Sequence, residues 1–214
     1  MTTSSPSHEP SDDKQDTRRS RLKSDRRSQL LAAAERLMAE RGFLAVRLED
    51  IGAATGVSGP AIYRHFPNKE ALLVELLVGV SQRLLAGAQA VVDEAPNPSA
   101  PLDGLIDLHL DFALGEQNLI RIQDRDLTHL PLSAQRQVRR AQRRYVEIWV
   151  DVLHQLDPDL HEDDARVMAH AAFGLLNSTP HSLKPRSARS TDQRPSRSVL
   201  HAMTIAALGA GRRR

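Results

Sequence analysis

The chain has 214 residues, 40% of them hydrophobic and 26% charged, a balance that fits a globular protein with a sizeable core and excludes disordered or fibrous classes. Cysteine is absent, which excludes disulfides, thiol catalysis and cysteine-ligated zinc or iron–sulfur sites and fits a reducing compartment. The net charge is only +2, yet 25 Arg stand against 4 Lys. Arg18, Arg19, Arg21, Lys23, Arg26 and Arg27 crowd one stretch against a single acid, Asp25. Such a cluster suits phosphate, although a basic surface is as often merely solvated.

Residues 1–22 are rich in Ser, Thr, Pro, Asp and Arg, and read as a disordered basic arm. From Ser24 the apolar period turns helical, through Leu30, Leu31, Ala34, Leu37 and Met38, and Gly42 stops it. Two short helices are expected over Leu48–Thr55 and from about Gly59 to His65. Pro67 breaks the chain, and Asn68 is placed to cap a long helix from Lys69 with the stripe Leu72, Leu73, Leu76, Leu77, Val80 and Leu84.

Further helices are expected through Leu102–Phe112 and Leu119–Ile122, then after Pro131, after Asp163, and from about Arg197 to Leu208, with a Ser/Pro/Arg loop over 180–196. No sustained alternation signals a strand. The expected fold is all-α, with about nine helices: a three-helix head over residues 23–68, joined by a long helix to a helical body over 69–214. No apolar run approaches the ~20 residues that span a bilayer, and no signal-peptide core is evident, so a cytoplasmic protein with no membrane partner is expected.

Two short helices with a tight turn between them make a helix-turn-helix. Ala53 and Ala54 are small enough for close approach, Gly56 permits a positive φ, Val57 plugs the angle, and Ser58 and Pro60 suit the start of the third helix. Ile62 and Phe66 point inward, leaving Gly59, Ala61, Tyr63, Arg64 and His65 for solvent or a partner. That polar outer face is what a major groove requires, while the plainer reading is an ordinary helical corner.

The stretch LEDIGAATGVSGPAIYRHFPNKEALL, residues 48–73, with Ala-Glu-Arg-Gly-Phe ending at Phe43, resembles the DNA-binding signature of TetR-family transcriptional regulators. The resemblance covers about residues 26–80. It implies that Tyr63 and His65 lie against the DNA backbone, that Lys69 meets a phosphate, and that Ser58, Gly59, Pro60 and Ala61 lie near the bases. Gly59 and Pro60 carry no side-chain donor, which makes Arg64 a candidate for readout. Where many members carry two threonines, this chain has Val46 and Arg47, and Arg47 is a candidate replacement for the lost phosphate bond.

The resemblance further implies a homodimer on a palindromic DNA operator, joined through the last two helices. The stripes Val167, Ala171, Leu175 and Val199, Met203, Ala207 fit such an interface, or alternatively an internal core. The body aromatics Phe112, Tyr145, Trp149 and Phe173, with His109, His170 and Asn177, are candidates for a small-molecule effector pocket or, more plainly, core filling. Arg136, Arg139, Arg140, Arg143 and Arg144 form either a solvated flank or a receptor for an anionic effector. The expected function is a repressor released from its operator by an effector, with lipid-like and acyl-CoA molecules as candidate classes. The alternative is an architectural DNA-binding protein without an effector. Nucleotide-binding glycine patterns, a nucleophile elbow, paired E-x-x-H motifs and zinc spacings are all missing, so no enzyme, cofactor or metal is expected.

Overall fold

The computed structural model describes residues 12–97, 99–178 and 194–211. Among these the chain is helical throughout, as expected, and nine α-helices follow one another: α1 Asp12–Arg41, α2 Leu48–Ala54, α3 Gly59–Ile62, α4 Lys69–Asp93, α5 Ala100–Gly115, α6 Gln117–Asp126, α7 Leu132–Leu156, α8 Glu162–Leu176 and α9 Arg194–Gly211. A short 3-10 turn, Leu127–His129, links α6 to α7. Most of the expected loop over 180–196 lies outside the described residues.

The N-terminus departs from expectation. Helix α1 begins at Asp12, so the backbone of residues 12–22 is helical where an irregular arm was expected; residues 1–11 lie outside the described residues. The apolar stripe reaches N-terminally only to Leu30, and Leu22 is exposed. However, nothing between Asp12 and Arg41 breaks a helix, and Lys, Gln and Arg are good helix formers, so the ladder continues past the buried stripe.

Two apolar clusters build the interior. The first joins α1 through Leu30, Leu37 and Met38 to Ile51, Ile62 and Phe66, then crosses into the body through Leu72, Leu77, Leu119 and Ile122. The second fills the body around Leu105, Leu110, Trp149, Leu153, Ala169 and Leu176. By length and composition α4 alone among the described helices is apolar enough to cross a membrane, contrary to the expectation that no run comes near. Its Leu72, Leu73, Leu76, Leu77 and Val80 are buried in the protein, the signature of a core helix.

Candidate nucleic-acid interface and effector cavity

The head is built around two glycines with positive φ. Gly42, at +89°, ends α1, its N–H donating to Met38 O at 2.8 Å; Gly56, at +69°, makes the turn after α2. The close approach of the next segment rests on Gly52, not on Ala53 and Ala54, both of which are exposed. A Cβ on Gly52 would stand 2.9 Å from the Val57 carbonyl, and the Val57 N–H donates to Gly52 O at 2.8 Å. Ser58 precedes α3 with extended backbone, but its hydroxyl makes no capping bond; its carbonyl instead accepts from Ala61 and Ile62. Ile62 and Phe66 are fully buried, as expected.

Ser58, Pro60, Tyr63 and Arg64 stand exposed, with Gly59, Ala61 and His65 partly so, giving one outward face at and beyond α3. Arg47 is exposed beside it, at the start of α2, where its N–H donates to Asp50 Oδ2 at 3.0 Å. An open depression of about 290 Å³ runs between Arg47, Tyr63 and the first turn of α4. Its rim also carries an acid: the Tyr63 hydroxyl donates to Glu49 Oε1 at 2.7 Å, a bond that lowers the Glu49 pKa and raises that of Tyr63. Burial together with Lys23, Arg27 and Arg26 holds His65 below its ordinary pKa, and its Nδ1 is buried with no partner among the described residues.

Lys69, which the family resemblance sets against a phosphate, and Arg27, of the basic cluster, both brace the head in the structure. The Lys69 ammonium donates to the carbonyls of Phe43, Leu44 and Val46 at 2.8, 3.3 and 3.0 Å, and sits 4.4 Å from the Phe43 ring centroid. Its three donors are thereby committed to the loop between α1 and α2. Arg27 makes a two-pronged pair with Glu75, donates to His65 O at 2.7 Å and lies 4.1 Å from the Phe66 ring centroid. No sequence signal separates a bracing lysine from a phosphate-binding one, because each needs only the charge at that position.

A third brace joins head to body. On α6, Asp126 is 2% exposed, accepts the Phe43 N–H at 3.3 Å and pairs with Arg125, whose guanidinium also donates to the Met38 and Ala39 carbonyls at the end of α1. Sequence reading gave neither residue this role, taking Asp126 with His129 for a surface pair, since a D-R-D run reads as solvated surface.

The body holds a partly open cavity of about 230 Å³. His109 and Phe112 reach it from α5, Tyr145 from α7, and His170, Phe173 and Asn177 from α8 and its C-terminal end. Six of the seven candidate residues therefore meet there. Trp149 does not line it: fully buried, it lies behind the wall, its ring centroid 5.0 Å from that of Phe173 and 6.2 Å from that of His109. The sequence reading missed Ser81 and Leu84 on α4, Gln123 on α6, and Gln142 and Val146 on α7. The glutamines stand one turn from residues already assigned to the core, which was the available signal.

His109 and Phe173 stack at 5.0 Å. With Asn177 Oδ1 as acceptor at 3.2 Å, His109 Nε2 carries the ring proton and Nδ1 accepts from the Tyr145 hydroxyl at 3.0 Å. Burial pushes His109 down to about 4, against the opposing effect of the Asn177 bond, and pushes the Tyr145 phenol up. The imidazole is therefore neutral at physiological pH. Arg136, Arg139, Arg140, Arg143 and Arg144 are all exposed on α7. None lines the cavity, but Arg139 and Arg143 lie one helical turn from Gln142 and Val146, which do.

Comparison with known proteins agrees with this architecture. The family model "Bacterial regulatory proteins, tetR family" matches residues 30–76, and "Tetracyclin repressor-like, C-terminal domain" matches residues 95–192. The "HTH-type transcriptional repressor KstR2" of Mycobacterium tuberculosis is 32% identical over 147 residues, covering 64% of this chain and 72% of the relative. The solved structure of that ketosteroid transcriptional regulator aligns with a TM-score of 0.69 at 25% identity, over 86% of this chain and 94% of its own. The structure of AibR in complex with isovaleryl coenzyme A and operator DNA shares the fold, with a TM-score of 0.68 at 19% identity over 85% and 97% of the two chains. The helix-turn-helix, the two family models and the KstR2 relative together establish that the chain belongs to the tetR family of bacterial regulatory proteins.

Proposed function

We propose that the chain acts as a homodimeric repressor that binds a palindromic operator and is released by a small-molecule effector held in the body. Residues 23–68 form the DNA-reading head in this reading, and 69–214 the effector-binding and dimerising body, at work in the cytoplasm. The observation that carries it is the exposed face of Ser58, Pro60, Tyr63 and Arg64 beside Arg47, set on a rigid helical corner. Arg47 and Tyr63 are assigned to phosphates, Ser58, Gly59, Pro60, Ala61 and Arg64 to the groove, and His65 to the backbone beside it. Lys69 acts through the loop that it holds.

Dimerisation draws support from an open apolar face. Val167 on α8 and Val199 and Met203 on α9 are at least half exposed, alongside exposed Ala171 and Ala207, whereas Leu200, Thr204 and Leu208 turn inward. The cavity favours an effector-responsive regulator over an architectural protein, which has no use for one. Its position explains coupling: Ser81 and Leu84 sit on α4, and Gln123 lies two residues before Arg125, which grips α1. An effector that favours one tilt of these helices changes the separation of the two heads. The Arg139 and Arg143 flank supports an acyl-CoA class, the class of the isovaleryl coenzyme A found in complex with AibR.

The test is selection of genomic DNA by the purified protein at physiological salt. A shared palindrome with half-sites about 34–36 Å apart, or a multiple of that, is expected. Arg47→Ala should weaken binding to all sequences alike and reduce the salt slope by about one. Fragments without a common motif would overturn the operator reading.

A further inference from the structure

The chemistry of the cavity wall goes beyond the presence of an effector site and specifies what it accepts; this inference rests on the effector reading above. Among the described residues no Asp, Glu, Lys or Arg lines the cavity. Its titratable groups are His109 and Tyr145, both buried, and His170, which is exposed. Arg139 and Arg143 belong to the exposed outer flank of α7. A carboxylate or phosphate drawn inside would lose its hydration with no Lys or Arg on the wall to compensate.

The hydrogen-bonding inventory is equally selective. The Ser81 hydroxyl donates to Leu77 O at 2.8 Å, and the Tyr145 and His109 protons are used along the Tyr145–His109–Asn177 chain. The donors left facing the cavity are the amide N–H groups of Gln123, Gln142 and Asn177, with a ring N–H of the exposed His170. These pair with a neutral acceptor oxygen, and the rest of the wall, including Leu84, Phe112, Val146 and Phe173, is apolar.

We propose that this cavity takes an uncharged molecule, or the uncharged end of a longer one, with an apolar body and a carbonyl or hydroxyl oxygen that accepts from the Gln123, Gln142 and Asn177 amides. Its size suits roughly eight to ten non-hydrogen atoms, somewhat more than the benzene that fills a smaller apolar cavity.

Trp149 is the only tryptophan in the chain and lies behind the wall, so its fluorescence reports occupancy directly. The full chain is titrated at pH 7.5 with methyl hexyl ketone, octanol, octanoate, butylbenzene and octanoyl-CoA, and operator binding is followed in parallel. The ketone and the alcohol are expected to bind at least about tenfold tighter than octanoate, the penalty of one uncompensated charge. Octanoyl-CoA binding tighter than the ketone identifies the occupant as the thioester end of a longer molecule, with the nucleotide on the arginine flank; the reverse order identifies a free neutral lipid. Octanoate matching octanol, or no binding by either neutral probe, overturns the proposal. Gln142→Leu, at a partly exposed position, should weaken the ketone about fivefold and leave butylbenzene unchanged. Equal weakening of both, or of neither, counts against the amide acceptor site. Ketone binding with unaltered operator affinity sinks the effector reading but not this one, whereas operator release by a charged metabolite with no ketone binding does the opposite.

Discussion

The head and the body of this molecule are both helical and bury similar aliphatic side chains, yet they handle polar groups in opposite ways. In the head and at its junction with the body, buried or half-buried charges are tied to the head's backbone: Lys69 to three carbonyls, Arg27 to His65 O, Arg125 to the end of α1. These bonds fix the angles between short helices that could not hold them alone. The body instead keeps a neutral polar chain, Tyr145–His109–Asn177, beside an open space. A head must present one rigid face; a body that answers to a ligand must leave room and unspent hydrogen-bonding capacity.

The sharpest way to break the rigid half is Phe66→Ala, which removes a fully buried ring that Arg27 covers. A loss of about 3–5 kcal/mol is expected, read as a large drop in Tm. The next effect belongs to the body. The buried His109 stays neutral down to about pH 4, while in the unfolded chain it titrates near 6.5. The unfolded state therefore binds more protons in that window, and stability falls as pH drops from 6.5 towards 4. The loss is on the order of 3 kcal/mol. Denaturant unfolding across pH checks this, and His109→Leu should flatten the slope whatever it does to stability at neutral pH.

Gly52→Ala comes third. The added Cβ meets the Val57 carbonyl at 2.9 Å, so the turn must open, at about 1–3 kcal/mol, while Ala53→Ser on the exposed side should change little. Equal responses would show that the turn has slack. The smallest effect is Glu49→Gln, which removes an acid from beside Tyr63 without touching the core. Stability should not move, while operator affinity measured at moderate salt should rise about two- to threefold; an unchanged affinity would place the phosphate elsewhere.

The same contrast decides what could be read from the sequence. Gly42, Gly56, Asn68, Ile62 and Phe66 act through local backbone geometry or helix periodicity, so their roles were legible. Six of the pocket residues were legible because aromatics and histidines on three helices had few other places to go. What escaped depends on partners distant in the chain. Arg125 and Asp126 meet the end of α1 more than eighty positions away, and Lys69 chooses loop carbonyls that no spacing rule announces. Gly52 was passed over for its alanine neighbours because the carbonyl it must clear becomes visible only once the turn is closed.

The Lys69 bonds also decide how movement can travel. Because the ammonium holds the loop over residues 43–46 to the first residue of α4, the start of that helix carries the loop with it. The 25-residue α4 is about 37 Å long, so a tilt of about 5° near its far end swings its beginning by roughly 3 Å. Through those bonds the swing would reach α3 as a rotation of the whole head rather than a distortion of its surface. In the dimer proposed above, such a swing would change the span between the two heads while leaving each one's ability to recognise a half-site intact.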